Sequence, residues 1–574
     1  MSEKKMVRKN VAIVVGISCI VLAACLVGAF SYYMPMVNDK DSTISSLNSQ
    51  ITNLQNQIQS DNLTISSLNS RIVDLENQLA SNNSVIASDN ATISNFQNQV
   101  TALLNRIASL QDQIQSDNLT ISSLNSQVVV LDQQLAAYNT TAHANALTIY
   151  TWWTSGGESA ALQNLLTLYE SQYPSVTVIP DAVVGGAGYV LRSVIEPLVL
   201  AGEAPDSLQV HAGYEMYPYV SGNYLASIDD LWSSQGWASV MPSVIASEVQ
   251  WNGDYYAVPL DIHRANVIWY NAPLLAANGI NASTLTTWPA FFAACKYLSE
   301  NSTLTSSSSW VSPIALGDAD QWEATMVLEE MMAGQGMQFY QNFINGNITS
   351  ASDPNLQAAT TEFAEYLNYT NANHASLTWD EAAALVIDGQ CAFNLMGDWN
   401  NGEFELANKI YGTDYGTFAV PGTANMYGLV IDCFEHPDGV KDPINSLNWL
   451  TVVGSVAGEM AFNPDMGSIP PRTDVLDNAA DVAQFGPYQQ AAIADFKLIT
   501  AEGAANGYYL YPSFVHGSAM PESALTPFNT AVNAFVASAR LTNSAYAISM
   551  LDSAMTSAIT ASQGDFVKTW MLTS

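Results

Sequence analysis

Residues 147–179 read LTIYTWWTSGGESAALQNLLTLYESQYPSVTVI. Leu147–Trp152 has the β-branched and aromatic content of a strand, and Ser155–Glu158 is a turn carrying residues that cap helices. Ala160–Tyr173 has helical periodicity and stops at Pro174, which cannot continue a helix. Val176–Ile179 then reads as a second strand. A strand, a helix and a strand in this order form a βαβ unit, which predicts a parallel sheet. The alternation of strands and helices continues to the C-terminus. The expected fold class is therefore α/β over 147–574, and about 430 residues suffice for a large unit of two lobes.

Upstream of this unit the pattern changes. An aliphatic residue recurs every seven positions from Ile44 to Leu135, fourteen times without exception. Three residues after each lies a second position, apolar at Leu47, Leu54, Leu68, Leu75, Phe96, Leu103, Leu110, Leu124 and Leu131 but polar at Asp61, Asn82, Asp89 and Asp117. A strict heptad repeat imposes a left-handed supercoil, so 42–138 is read as a coiled-coil stalk, extending roughly 140 Å. The segment Leu54–Ala80 recurs at Leu110–Ala136, an offset of eight heptads that preserves the seam. Ile at the first position and Leu at the second favour two parallel strands, although the polar seam residues leave a trimer open. A homo-oligomer through the stalk is expected. Of nine Asn-X-Ser/Thr triplets, those at Asn62, Asn82, Asn90, Asn118 and Asn139 lie on or just past it, which suits a glycosylated, exported segment; Asn281, Asn301, Asn347 and Asn368 lie downstream.

Residues 1–10 carry Lys4, Lys5, Arg8 and Lys9, and Val11–Phe30 has no charge. That is about the length needed to cross ~30 Å of hydrocarbon. The expectation is a cytoplasmic basic tail over 1–10 and a transmembrane anchor over 11–31, with everything beyond it outside the cell. The competing reading takes Leu22-Ala23-Ala24-Cys25 as a lipobox, with a lipoprotein anchored at Cys25.

Composition narrows the function. The net charge is -36, and only nine Lys and Arg lie beyond Leu147, so nucleic acid is excluded as a partner. Charged residues make up only 12%, with Ser, Thr, Asn, Gln and Tyr on the surface instead. A surface that depends little on ionised carboxylates suits an acidic exterior, and the unit is expected to stay folded below about pH 4. Cys295, Cys391 and Cys433 are isolated and are read as three buried thiols; no zinc knuckle or redox motif is present. No cofactor and no metal are expected. A metal site from His211, His263 and His516 has no ligand-spacing motif behind it.

Five stretches, in order, carry a resemblance: WWTSGGE at 152–158, PDSLQVHAG at 205–213, VPLDIHRANVIWYN at 258–271, MGDWNNGEF at 396–404, and FNPDMGSIPPRTDV at 462–475 followed by PSFVHGSAMPES at 512–523. They span essentially all of 147–574. The chain resembles the extracellular solute-binding proteins of ABC importers, in the carbohydrate group, and most closely the branch that binds glucose, galactose or mannose. The resemblance implies a two-lobed clamp of the periplasmic-binding-protein type II kind. The first lobe is expected over 147–257 and 414–454 and the second over 258–413 and 455–574, with hinge crossings near 258, 413 and 455. It also implies a monosaccharide ligand, an ABC permease as membrane partner, and no enzymatic activity.

A pyranose shows hydroxyls at its rim and C–H groups on its faces, so its site needs flat rings together with convergent carboxylates, amides and imidazoles. Trp152 and Trp153 end the first strand, at the carboxyl edge where open α/β sheets bind ligands. Alternation along a strand sends them to opposite faces, so Trp153 is expected at the sugar, with Trp152 as its alternate. By resemblance, Glu158, Gln209, His211, His263, Asp398, Trp399 and His516 also contact ligand, with Arg264 and Arg472 as further candidates. Each has a plainer role to weigh: core aromatic for the tryptophans, helix cap for Glu158, inter-lobe ion pair for Arg264. One position departs from the family's pattern. Before the Gly of G-S-I-P the family often places a ligand-contacting Lys, and Met466 stands there. Two other readings compete. One is a surface-layer stalk protein whose head no longer binds, making surface-layer contacts only. The other is a glycoside hydrolase, for which Glu158 and Asp398 would have to serve as the carboxylate pair.

Overall fold

The structure is a computed structural model that describes residues 2–33, scattered positions between 49 and 114, and residues 145–154, 156–539 and 545–570. The chain divides into two compact units, 1–138 and 139–574. In the first, one helix runs over Ser2–Tyr33. Among the described residues no helix is long and apolar enough to cross a membrane; the span expected over 11–31 reaches past the described side chains. Most of the stalk expected over 42–138 also lies outside the described residues. Every described position between 49 and 114 is helical. The described seam residues Val100, Leu103, Ile107, Leu110 and Ile114 are 50–60% exposed in the single chain.

The second unit opens with β1 (Ala146–Thr151), parallel to β2 (Thr177–Ala182) and to β3 (Ser207–His211). The βαβ start read from 147–179 is thus present, and its helix, Gly156–Gln172, buries Ala161, Leu162, Leu165, Leu166 and Tyr169. A small hairpin follows, β4 (Gln250–Trp251) with β5 (Asp254–Tyr255). After β6 (Ala257–Pro259) the chain passes into a second set of strands: β7 (His263–Arg264), β8 (Val267–Asn271), β9 (Ser312–Ala315), β10 (Cys391–Leu395), β11 (Tyr415–Ala419) and β12 (Met426–Val430). It returns through β13 (Asp432–Glu435), and β14 (Tyr509–Pro512) comes last. The first lobe's sheet has the order β2-β1-β3-β13-β6, and the second lobe holds the sheets β11-β8-β10-β9 and β14-β12-β7.

Two lobe boundaries differ from expectation. The stretch from 414 to 430 does not rejoin the first lobe. β11 pairs antiparallel with β8, and β12 with β7 and β14, all in the second lobe. The return comes at Asp432, where β13 enters between β3 and β6. The third crossing is also later than 455. The helix Val456–Met466 packs on Gly156–Gln172, and Thr473 still donates to Val240 O, whereas Pro487–Glu502 packs on β12 and β14. Alternation of strands and helices reports that a strand exists, but not which sheet edge it joins. The crossings near 260 and 431 lie side by side: Leu260 N–H donates to Asp432 O, and Asp432 N–H to Asp261 Oδ1 at 3.0 Å.

The lobes are closed on one another. Gly186 N–H donates to Asp320 Oδ2 at 3.1 Å, and Tyr189 Oη to Val515 O at 2.7 Å. Lys568, near the C-terminus, reaches from the second lobe to Glu248 at 2.9 Å and lies over the rings of Trp251 and Trp570. The three cysteines of this unit are buried and free, as the composition suggested.

Candidate functional site

The carboxyl ends of β1 and β3, the two adjacent hinge crossings and loops of the second lobe converge on a narrow cavity of about 20 Å³. The first lobe contributes Trp152, Trp153, Glu158 and His211; the second contributes Trp322, Trp379, Trp399 and His516; His263 and Asp432 stand at the crossings. Seven residues singled out in the sequence therefore meet here: Trp152, Trp153, Glu158, His211, His263, Trp399 and His516.

Both tryptophans of the WW pair line the cavity, contrary to expectation. β1 ends at Thr151, so the period-two alternation has stopped before the indoles begin. Their rings meet at 6.4 Å and 64°, with Trp152 against His211 at 4.7 Å and Trp153 against Phe462 at 4.5 Å. Trp399 is 5.2 Å from the rings of both His263 and His516, and Trp322 is 5.3 Å from His516.

Four expected contacts lie elsewhere. Gln209 is buried beneath the site, where its oxygen accepts from Thr151 Oγ1 and Trp152 N–H and its amide donates to Asp432 Oδ1 at 3.1 Å. Its oxygen is spent on the end of β1 and its amide nitrogen on orienting Asp432. Asp398 sits behind His263, accepting from Nδ1 at 2.5 Å. Arg264 pairs with Asp495 at 2.6 Å and lies over the Tyr427 ring, within the second lobe. Arg472 pairs with Asp474 and donates to Gly454 O. Each of the four lies in a stretch that gives another residue to the cavity, and its neighbouring partners decide which way its own side chain is committed.

Besides Gly186, Ala187 and Val430, three cavity residues with rings or charge were not singled out: Trp322, Trp379 and Asp432. Trp379 opens the helix Trp379–Ile387, whose turn is closed by Glu381 accepting from Thr378 N–H at 3.0 Å. Trp322 precedes the helix Glu323–Gly334 and packs so closely on Gly186 that a Cβ there would fall 2.7 Å from its Nε1. Asp432 carried a weak signal, as the first charged residue after the apolar run LVI. Met466 lines the wall where the family often has a Lys.

The charges are set by burial. Asp432 Oδ2 is 3.5 Å from His263 Nε2, Asp261 Oδ2 is 3.3 Å from the same atom, and Asp432 Oδ1 is 3.6 Å from His211 Nε2. Burial works against a charged His263, but Asp261 and Asp398 outweigh it and hold the imidazolium well above the usual histidine range. Burial, reinforced by Asp432 and Glu403, pushes the Glu158 carboxyl well above the usual carboxylate range. Burial, then His211 and His263, keeps His516 neutral; its Nδ1 meets Ser513 Oγ at 2.8 Å, and its Nε2 has no protein partner. The Nε1 atoms of Trp153 and Trp322 are likewise unpartnered. Buried donors without partners are costly unless a ligand satisfies them. Asp261, His263 and Asp432 also offer three ligand atoms within 4.8 Å of one another, close enough to hold a cation. The tight contact of His263 with three carboxylates is accounted for by its own positive charge. His211, His263 and His516 do not form a metal triad, because the His263 nitrogens face carboxylates.

Two glycines from the quoted motifs, Gly157 and Gly402, meet where the lobes touch. A Cβ on Gly402 would lie 2.9 Å from Asp465 O and 3.1 Å from Gly157 Cα, so the backbones of the two lobes touch there. Gly402→Val should hold the lobes apart. The expected result is a ligand affinity at least about tenfold weaker, with the thermal midpoint of the unliganded protein nearly unchanged. Equal affinity in the variant would show that this contact plays no part in closure.

A cavity between two α/β lobes, with polar groups from both, is the arrangement of a clamp that closes on a small solute. The chain belongs to the bacterial extracellular solute-binding proteins of ABC transporters: the model of the family described as "Bacterial extracellular solute-binding protein" matches residues 153–444. An uncharacterized ABC transporter extracellular-binding protein of Pyrococcus horikoshii is 41% identical over 394 residues, covering 68% of this chain and 84% of the relative. A probable sugar-binding periplasmic protein of Rhizobium meliloti is 30% identical over 380 residues, covering 66% and 86%. Among solved structures, the bacterial solute receptor AcbH, described as exclusive for β-D-galactopyranose, superposes with a TM-score of 0.60 at 16% identity, over 74% of this chain and 99% of its own. Proteins of this family are carriers, not enzymes.

Proposed function

We propose that this protein is the extracellular receptor for a monosaccharide, glucose or a close epimer, which it delivers to an ABC permease in the membrane. The observation that carries the reading is the cavity itself. Five indoles supply apolar faces, and Glu158, His211, His263, Asp432 and His516 supply donors and acceptors at its rim. That is the chemistry a pyranose requires. The Rhizobium relative's description as sugar-binding agrees with it. Groups from both lobes reach the ligand only when the clamp is shut, so binding favours the closed form, the form the permease would read.

Anchoring belongs to the same proposal. The uncharged run within the helix Ser2–Tyr33 would hold the receptor at the outer face, or a lipid on Cys25 would. The exposed aliphatic positions between Val100 and Ile114 would pair with a second copy, making the receptor at least bivalent and raising its effective concentration at the importer. Asn281, Asn347 and Asn368 are exposed and accessible to a glycan.

The test is calorimetric titration of the full-length chain with glucose, galactose, mannose and maltose, at acidic and neutral pH. Tight binding of one hexose without any product is the expected result. Silence from all four sugars would leave a different solute, or a head that serves only as the tip of a surface-layer stalk.

A further inference from the structure

A second cleft lies between the lobes, outside the cavity described above. It has a volume of about 320 Å³ and is open to solvent, and its principal walls are Arg192, Glu196, Glu215, Tyr219 and Tyr224 of the first lobe and Glu522 of the second. Because both lobes contribute, it is complete only in the closed arrangement. Arg192 spans the seam: Nη1 is 3.2 Å from Glu215 Oε2, Nη2 is 3.6 Å from Glu522 Oε2, and the guanidinium carbon lies 4.5 Å from the centre of the Tyr189 ring. Glu215 is 6% exposed. Its Oε2 also meets His211 Nδ1 at 2.7 Å, while its Oε1 has no protein partner.

The chemistry of the walls restricts the occupant. Three carboxylates against one guanidinium repel anions. An apolar ligand would cover the exposed Glu196 carboxylate without giving it a hydrogen bond. Tyrosine rings beside carboxylates and a guanidinium instead match a molecule with apolar C–H faces and a rim of hydroxyls. We propose that this cleft is a second saccharide site, taking one neutral sugar unit while the inner cavity holds its own ligand. The proposal extends the sugar reading to a different set of residues. The chain Arg192–Glu215–His211 joins the two sites, so occupancy of one changes the affinity of the other by the same factor.

The test is a calorimetric titration of the full-length chain with glucose and with maltose, in three forms: the natural protein, the double variant Glu196→Gln with Tyr224→Ala, and Trp399→Ala. Glu196 is exposed and Tyr224 half-buried, so the double variant should fold. Two binding events per chain are expected in the natural protein. The double variant should weaken the second event at least tenfold and leave the first within twofold; Trp399→Ala should do the reverse. A single event that the double variant does not alter would overturn the second site and leave the receptor reading standing. Loss of both events in Trp399→Ala would overturn it as well, because both would then belong to the inner cavity. No event with either sugar would overturn the second site and leave the receptor reading to be decided by galactose and mannose.

Discussion

Asp432→Ala is expected to weaken hexose binding by about a hundredfold or more, a loss of roughly 3 kcal/mol that a charged hydrogen-bonding group at a buried site can supply. Asp432 is the one carboxylate that faces both His211 and His263 while being held from below by Gln209. It also begins β13, directly after the chain crosses back between the lobes. Removing it strands the Gln209 amide, leaves His263 with two carboxylates instead of three, and takes an acceptor from the cavity. Asp432→Asn separates these effects, since it keeps the shape and the bond from Gln209 and loses only the charge. If the charge matters, the Asn variant binds weakly while its thermal midpoint stays close to that of the natural protein. Natural affinity in the Ala variant, read by calorimetry, would remove Asp432 from the site.

Folding stability should fall as pH rises from about 4.5 to 7.5, opposite to the ordinary behaviour of a protein rich in ion-paired carboxylates. Burial raises Glu329 to about 7, although it accepts from Tyr340 Oη, Ser513 Oγ and Phe514 N–H. Burial, then the neighbouring Glu329, raises Glu330 well above its usual range, and burial with Asp318 does the same for Glu323. Glu435 and Glu459 are raised well above it too, first by burial. For a carboxyl raised in the fold, the folded state binds the extra proton. Its cost is absent below the unfolded value and fully present above the folded one. For Glu329 alone that difference is about 3 kcal/mol. His263, raised by its carboxylates, works in the same direction, since its contribution is present in acid and lost as pH rises through its folded value. His516 and His436, both lowered by burial, oppose the trend below the usual histidine range, and the raised carboxyls outnumber them. Chemical denaturation at pH 4.5 and 7.5 measures the sign. Greater stability at the higher pH would overturn the reading, and with it the acidic exterior inferred from composition.

The strand–helix–strand start at 147–179 was legible because its periodicities change cleanly from two to 3.6 and back. The cavity was legible in part. Motif stretches brought Trp153, Glu158, His211, His263, Trp399 and His516 to one place. Gln209 and Asp398 misled because both chemistries, touching a sugar and orienting the residue that touches it, call for the same polar side chain. Which of the two applies depends on Asp432 and His263, which reach them from distant parts of the chain. Trp322 and Trp379 sit outside every quoted motif, at the starts of the helices Glu323–Gly334 and Trp379–Ile387. The lobe limits failed at 414–430 for a related reason: β11 and β12 have ordinary strand character, and pairing with β8 and β7 is a long-range choice.

The clustering of Trp152, Trp153, Trp322, Trp379 and Trp399 around one cavity has an optical consequence. Indoles that share a pocket with a charged imidazole emit according to how dry that pocket is and how near the imidazole stands. The molecule therefore carries its own reporter: filling or opening the clamp changes the intrinsic emission with no dye attached. A receptor of this design can be read as a reagentless sensor for its solute, with a signal that originates at the binding event itself.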